Sequence, residues 1–227
     1  MIFTFSLVII ITILSYFLYK PIHKYKYIFY VIAFIIALLL REDGNYITYG
    51  YTGLSFFIVV MFSGVLDKST LRKRLFMVRA ELAILGTIFL FPHALGYLDI
   101  VLEEVGLLNA PINFFFGFLS GVVIVPLFIT SFTFIRKRMK YKEWKQLHQL
   151  AYLAYIAIGL HLILINNDRQ LMYIILFGSY FILKSIMLVQ KRIETNKKTK
   201  LKKNVKSNQD QFLRDFPSIC VNSFIGI

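Results

Sequence analysis

Cysteine is almost absent. Cys220 is the single one in 227 residues, which excludes an intramolecular disulfide and any metal site built from several thiolates. Its expected place is a cytoplasmic tail, as an ordinary reduced thiol. Nucleotide-binding signatures are missing as well. No Gly-x-Gly-x-x-Gly follows a strand and there is no P-loop, so a chain of this kind that handles electrons must receive them from another protein or a lipid-soluble carrier. Charge is scarce, at 17% of residues against 58% hydrophobic, and mean hydropathy is +0.67; an ordinary soluble domain carries about 25% charged residues. The first apolar run has no basic segment before it and no small-residue cleavage pattern after it. It is therefore expected to be a retained helix rather than a signal peptide. No internal repeat is visible, which counts against repeat-built transporters.

What the chain does have is apolar length. Hydrophobic runs cover residues 2–19, 25–40, 46–66, 75–98, 112–135, 147–165 and 171–189. A bilayer core needs about 20 residues of helix; all seven meet or approach that, with 25–40 the shortest. The expected fold class is an all-α polytopic membrane bundle of seven helices.

The formal charge of +14 suggests nucleic acid until its placement is read. Basic residues stand at Lys20, Lys24 and Lys26, at Lys68 and Arg72 to Arg74, from Arg136 to Lys145, and from Lys191 to Lys206. The connections between carry Glu42 and Asp43, then Asp99, Glu103 and Glu104, then Asp168 with Arg169. Such alternation is the positive-inside pattern of a polytopic protein, here with its N-terminus outside and its C-terminus in the cytoplasm. The charge reports topology, and nucleic acid is not an expected partner. Membrane lipid is, through the basic tail among other contacts. The tail itself, Lys-, Asn- and Thr-rich at 195–207, is expected to be a solvated, largely disordered arm.

Histidines inside such runs carry the functional signal, because imidazole in hydrocarbon needs a partner. His93 falls near the outer end of the fourth run. His148 and His161 fall near the inner and outer ends of the sixth, roughly 20 Å apart at 1.5 Å per residue. His93 and His161 thus share a depth on two parallel helices, which suits two axial ligands of one haem. The plainer reading makes each an interior histidine bonded to a neighbouring carbonyl. His148 lacks a matching partner, since Arg79 occupies the position where one would stand. Arg79 suits a haem propionate or a flavin phosphate, or simple snorkelling to the interface. Pro92 is expected to bend the fourth helix before His93. Trp144 and Tyr141 fit an inner aromatic belt, Pro111 a helix start, and His23 a solvated loop.

The block Trp144-Lys145-Gln146-Leu147-His148-Gln149-Leu150-Ala151-Tyr152, followed by His161, resembles the signature helix of the ferric reductase-like transmembrane domains. The similarity is nearest to the haem-binding membrane subunit of the bacterial protein-methionine-sulfoxide reductase system. It extends to Arg79, to His93-Ala94-Leu95-Gly96-Tyr97, to Thr130-Ser131 and to Thr52-Gly53, and covers roughly residues 46–165. It implies a six-helix b-type cytochrome carrying electrons from cytoplasmic reduced flavin or quinol to an extracytoplasmic acceptor, with ligand roles for His93, His148 and His161.

The expected organisation is an additional N-terminal helix (1–24), a haem-binding core (25–189) and a basic cytoplasmic tail (190–227), all in the cytoplasmic membrane. His93, His148, His161, Arg79 and Trp144 are the cofactor-binding candidates, the three histidines also as metal ligands; no self-contained substrate site and no catalytic residue is recognised. The expected cofactor is haem b, one copy, with a second only if His148 finds a partner, and FMN is a further candidate. Expected partners are a flavin reductase or quinol donor inside and a redox partner or ferric iron outside. The contrasting class is a non-redox membrane protein, a small transporter or an assembly factor.

Overall fold

The computed structural model describes residues 2–40, 49–67, 69–165 and 169–215, with side chains as far as 212. Among these the chain is entirely helical, with no strand. The helices are α1 (Ile2–Phe17), α2 (Tyr19–Lys24), α3 (Lys26–Leu39), α4 (Tyr51–Ser63), α5 (Thr70–Met77), α6 (Arg79–Ile100), α7 (Ile112–Ser131), α8 (Thr133–Arg136), α9 (Tyr141–Leu147), α10 (Ala151–Leu164) and α11 (Gln170–Asp215). A π-helical turn, Val101–Val105, extends α6, and a 3-10 turn, His148–Leu150, joins α9 to α10.

Among the described residues, four helical stretches are long and apolar enough to cross a membrane: Arg79–Val105, Ile112–Ser131, Tyr141–Leu164 and Gln170–Phe212. Three more apolar helices, α1, α3 and α4, are shorter, at 16, 14 and 13 residues. At 1.5 Å per residue α4 reaches only about 20 Å, against about 30 Å of hydrocarbon. The outward faces of α1, α3, α7 and α10 are dense with exposed Ile, Phe, Leu and Val, a continuous apolar surface that water does not tolerate and lipid does. The protein is a multi-pass membrane protein.

Two compact units divide the chain, Met1–Phe181 and Ile182–Ile227. At the centre of the first, α4 is buried on nearly every side, from Thr52 through Ser63, as a helix enclosed by neighbours must be. It enters from Gly50, at φ +74°. Its Gly53 lies against α6 so closely that a Cβ there would come within 2.8 Å of the Gly86 carbonyl. Small residues at this crossing let the two backbones approach, the usual packing device where no water drives helices together. On another side Leu54, Ile58 and Met61 pack against Tyr155 of α10 and against Phe177 and Tyr180 of α11. Helix α1 turns Thr4, Ile11 and Ser15 inward, and the Ser55 hydroxyl of α4 donates to the Thr4 carbonyl at 3.3 Å.

Polar ties gather at one end of the bundle. Lys26 of α3 donates to the Thr133 hydroxyl at 2.6 Å, and Arg74 of α5 donates to the Tyr16 carbonyl at 3.0 Å with its guanidinium over the Tyr16 ring. Pro111 caps the start of α7 as its residue type predicts, and Pro92 lies buried inside a continuous α6. The basic segment after Val189 differs from expectation. In place of a solvated coil, helix continues to Asp215, since Lys, Leu, Gln and Glu tolerate helix well and the only strong helix breakers would be the Gly and Pro this segment lacks. Its side chains through Phe212 are exposed, so solvation holds where irregularity does not. Cys220, Glu42, Asp43, Lys68 and Asp168 lie outside the described residues.

Candidate functional site

His93 and His161 come together. Their ring centroids are 6.2 Å apart with an interplanar angle of 70°, one from the last third of α6 and the other from the last turn of α10. Two glycines make room for them. A Cβ at Gly50 would reach within 3.0 Å of His93 Cγ, and one at Gly117 within 2.9 Å of His161 Nδ1. His161 Nδ1 is 2.7 Å from the backbone carbonyl of Asn113. A carbonyl only accepts, so Nδ1 carries the proton and Nε2 keeps its lone pair. That is the arrangement in which a ligating imidazole is held by an outer hydrogen bond. Tyr97, one turn after His93, lies against it with centroids 4.8 Å apart and the rings tilted by 56°.

His148 stands in a different setting, in the 3-10 turn between α9 and α10. Its Nε2 is 3.1 Å from the Thr130 hydroxyl. That hydroxyl donates to the Pro126 carbonyl at 2.7 Å, which leaves its oxygen to accept from His148. Trp144 lies against the imidazole with centroids 4.3 Å apart, and its indole N–H donates to the Thr130 carbonyl at 3.3 Å. On Trp144 rests the Arg136 guanidinium, 4.4 Å from the ring centroid. Arg136, Trp144 and His148 therefore form a ladder from an exposed arginine to a half-buried imidazole, fixed to α7 through Thr130. Trp144 is more than a belt residue.

Arg79 opens α6 half-buried. Its guanidinium lies near the hydroxyl of Tyr155, a buried residue of α10. Tyr155 in turn meets Tyr180 edge-on, with centroids 5.7 Å apart. The Arg79 guanidinium also lies over the exposed Phe76 ring, 5.3 Å from the centroid.

Several functional groups escape a linear reading. Glu81 is only 4% exposed, and His23 Nδ1 donates to it at 2.8 Å. His23 is thus corrected from a free loop residue to the partner of a buried carboxylate; its own side chain stays 57% exposed. An acid six residues into the apolar run 75–98 is the available signal. Gly50, Asn113 and Gly117 carry none, because their role exists only once the start of α4 lies against α6 and α7 lies against α10. Among the described residues no group of three or more His, Cys, Asp or Glu side chains converges as a metal site would require.

No curated protein and no solved structure matches the chain at a significant level. Residues 49–159, slightly under half of the sequence, match the family model described as ferric reductase like transmembrane component, a stretch that holds His93, Trp144 and His148 and stops two residues short of His161.

Proposed function

We propose that this chain is a ferric-reductase-like b-type cytochrome, nearest in kind to the membrane subunit that serves bacterial protein-methionine-sulfoxide reduction. It conducts electrons across the cell membrane from a cytoplasmic flavin or quinol donor to an extracytoplasmic acceptor. The observation that carries the reading is the His93–His161 pair, 6.2 Å between centroids with the His161 tautomer set by Asn113.

Two imidazoles facing one ion through metal–nitrogen bonds of roughly 2 Å leave their ring centres about 6 Å apart. Two protein ligands alone make half of a tetrahedral zinc site. A metal that brings its own equatorial nitrogens needs no more than two, and haem iron is that case. His93 and His161 would hold haem b, which when bound would supply reversible one-electron chemistry within an apolar bundle. The chain's residues supply the rest: Gly50 and Gly117 clear the space, Asn113 orients one ring, and α4 and α7 keep water away.

Seven spans with the N-terminus outside and the basic tail inside complete the proposal, the short helices α1, α3 and α4 spanning with help from flanking residues. The extra N-terminal helix (1–24), the haem core (25–189) and the basic tail (190–227) are its working parts. In that orientation the Arg136–Trp144–His148 ladder faces the cytoplasm and is the entry point for the donor, and Arg79 is available to an anionic group of haem or FMN. His148 serves the donor side, since its ring is engaged by Thr130 and Trp144.

A reduced-minus-oxidised spectrum of the purified, haem-supplemented protein is the direct test. The expected result is b-type bands that diminish together with loss of His93 or His161. Folded protein without such bands overturns the reading and returns the chain to the non-redox class of small transporters and assembly factors.

A further inference from the structure

Helix α11 carries its second half, from Lys191 onward, as a sequence of different character from any other in the protein. Between Lys191 and Lys206 stand eight Lys and Arg residues against a single acid, Glu194. All are on one continuous helix and all are exposed. Topology needs only a few positive charges close to the end of a span. Lys200, Lys202, Lys203 and Lys206 lie eleven or more residues beyond Val189 and are surplus to it.

The helical conformation orders this surplus. At 100° per residue, Leu201, Val205 and Phe212 fall within about 40° of one another. They are exposed at 66%, 59% and 61%. Lys197 flanks this stripe on one side, and Lys198 and Lys202 flank it on the other. A narrow apolar stripe edged by long basic side chains matches an interface between acyl chains and anionic headgroups, where the stripe enters the acyl boundary and the lysines extend to phosphate.

We propose that residues 191–212 form an amphipathic helix that docks on anionic lipid, with Leu201 and Val205 inserted and the flanking lysines on headgroup phosphates. The occupant follows from charge and place. A polybasic segment directly after an apolar span is held near a membrane surface by the chain itself, and a negatively charged leaflet attracts it. A straight continuation of the helix would carry Lys206 roughly 25 Å beyond Val189, well outside a Debye length of about 8 Å. Docking therefore requires the helix to bend between Gln190 and Lys197, where Thr195 and Asn196 are weak helix formers.

Hydrogen exchange on the full-length protein in nanodiscs tests this, comparing phosphatidylcholine alone with a mixture containing phosphatidylglycerol. An isolated polar helix is marginal in water, so the amides of 199–212 exchange fast in the neutral discs. The expected result with the anionic mixture is at least tenfold slower exchange over that segment, reverting in high salt. Replacing Lys197, Lys198, Lys200, Lys202 and Lys203 with Gln removes the protection, and Leu201→Ser with Val205→Ser weakens it without changing net charge. Equal exchange in both compositions overturns the proposal. Protection that follows an added oligonucleotide in neutral discs but not anionic lipid also overturns it and makes the tail a nucleic-acid arm. Protection by anionic lipid that the Leu201 and Val205 replacements leave untouched overturns the inserted geometry.

Discussion

The Nδ1–H of His161 is held by the backbone carbonyl of Asn113 at 2.7 Å, a contact between helices separated by 48 positions in sequence. Its effect is to fix both the ring plane and the tautomer of one imidazole while that ring stands 6.2 Å from His93. A histidine held only to satisfy its own polarity needs no second histidine beside it.

Replacing His93 or His161 with Ala is therefore expected to lower haem affinity more than ~100-fold, beyond the 10–100-fold typical of an outer-partner loss. His148→Ala keeps most of the haem and instead slows reduction by the cytoplasmic donor. Haem content per protein, measured as the pyridine haemochrome, checks both. Equal losses in all three variants mean that the histidines act as one coupled ligand set.

Gly117→Ala offers a sharper probe because it leaves both imidazoles in the chain. Its Cβ would lie 2.9 Å from His161 Nδ1, so the ring must move and the Asn113 bond is broken. Haem affinity is expected to fall ~10-fold with a shifted low-spin signal in electron paramagnetic resonance. Gly121→Ala, one turn along the same helix, meets nothing within 4 Å and should be silent. An unshifted signal in Gly117→Ala would remove the positioning role.

How much of this was legible beforehand differs from residue to residue. The closeness of His93 and His161 is legible, because depth follows from helix rise on two parallel helices. The helical class was, from apolar run length. Gly117 and Asn113 were not, since nothing in a glycine or an asparagine announces which helix will pack on it. The helical tail is not, because high charge suggests disorder, whereas a Lys-rich segment without Gly or Pro keeps good helix propensity and here is helical to Asp215. The pairing of His23 is not legible either, because its partner, Glu81, is 58 residues away.

That pair gives a stability prediction. Glu81 is buried, so removing His23 leaves a carboxylate without its hydrogen bond. His23→Ala is expected to cost about 1 kcal/mol, the low end of the penalty for an unsatisfied buried group because His23 is half exposed. Combining it with Glu81→Gln should recover part of the loss, as a double-mutant cycle in detergent would measure. Strict additivity of the two changes would mean that the contact contributes nothing.

Orientation can be tested without reference to haem. With Asp99, Glu103 and Glu104 at one end of the bundle and the basic stretch from Arg136 to Lys145 at the other, the positive-inside rule assigns the basic end to the cytoplasm. A phosphatase reporter inserted near Asn109 is expected to be active and one fused after Gln190 inactive, with a cytoplasmic fluorescent reporter giving the opposite pattern. Reversed activities would invert the assignment of donor and acceptor sides.

Electron entry is the last consequence of the ladder. Arg136 covers Trp144 at 4.4 Å and Trp144 covers His148 at 4.3 Å, and Arg136 itself is exposed. A planar anionic donor such as reduced FMN is drawn by the basic loop and finds an aromatic surface under the arginine, a contact that a neutral quinol in the bilayer does not need. Reduced flavin, or a flavin reductase supplying it, is expected to reduce the haem, and nicotinamide nucleotide alone is not. Arg136→Gln should slow flavin-driven reduction several-fold at low ionic strength, and the difference should shrink as salt rises. Arg79→Gln should slow it too, with less dependence on salt because Arg79 is half-buried against Tyr155. Trp144→Ala should slow it at every ionic strength, because stacking is not screened. Stopped-flow reduction in vesicles, run with flavin and with quinol donors, separates the routes: a quinol rate that is fast and indifferent to Arg136 assigns entry to the membrane, and an unchanged flavin rate in Arg136→Gln leaves the basic loop with topology as its only task.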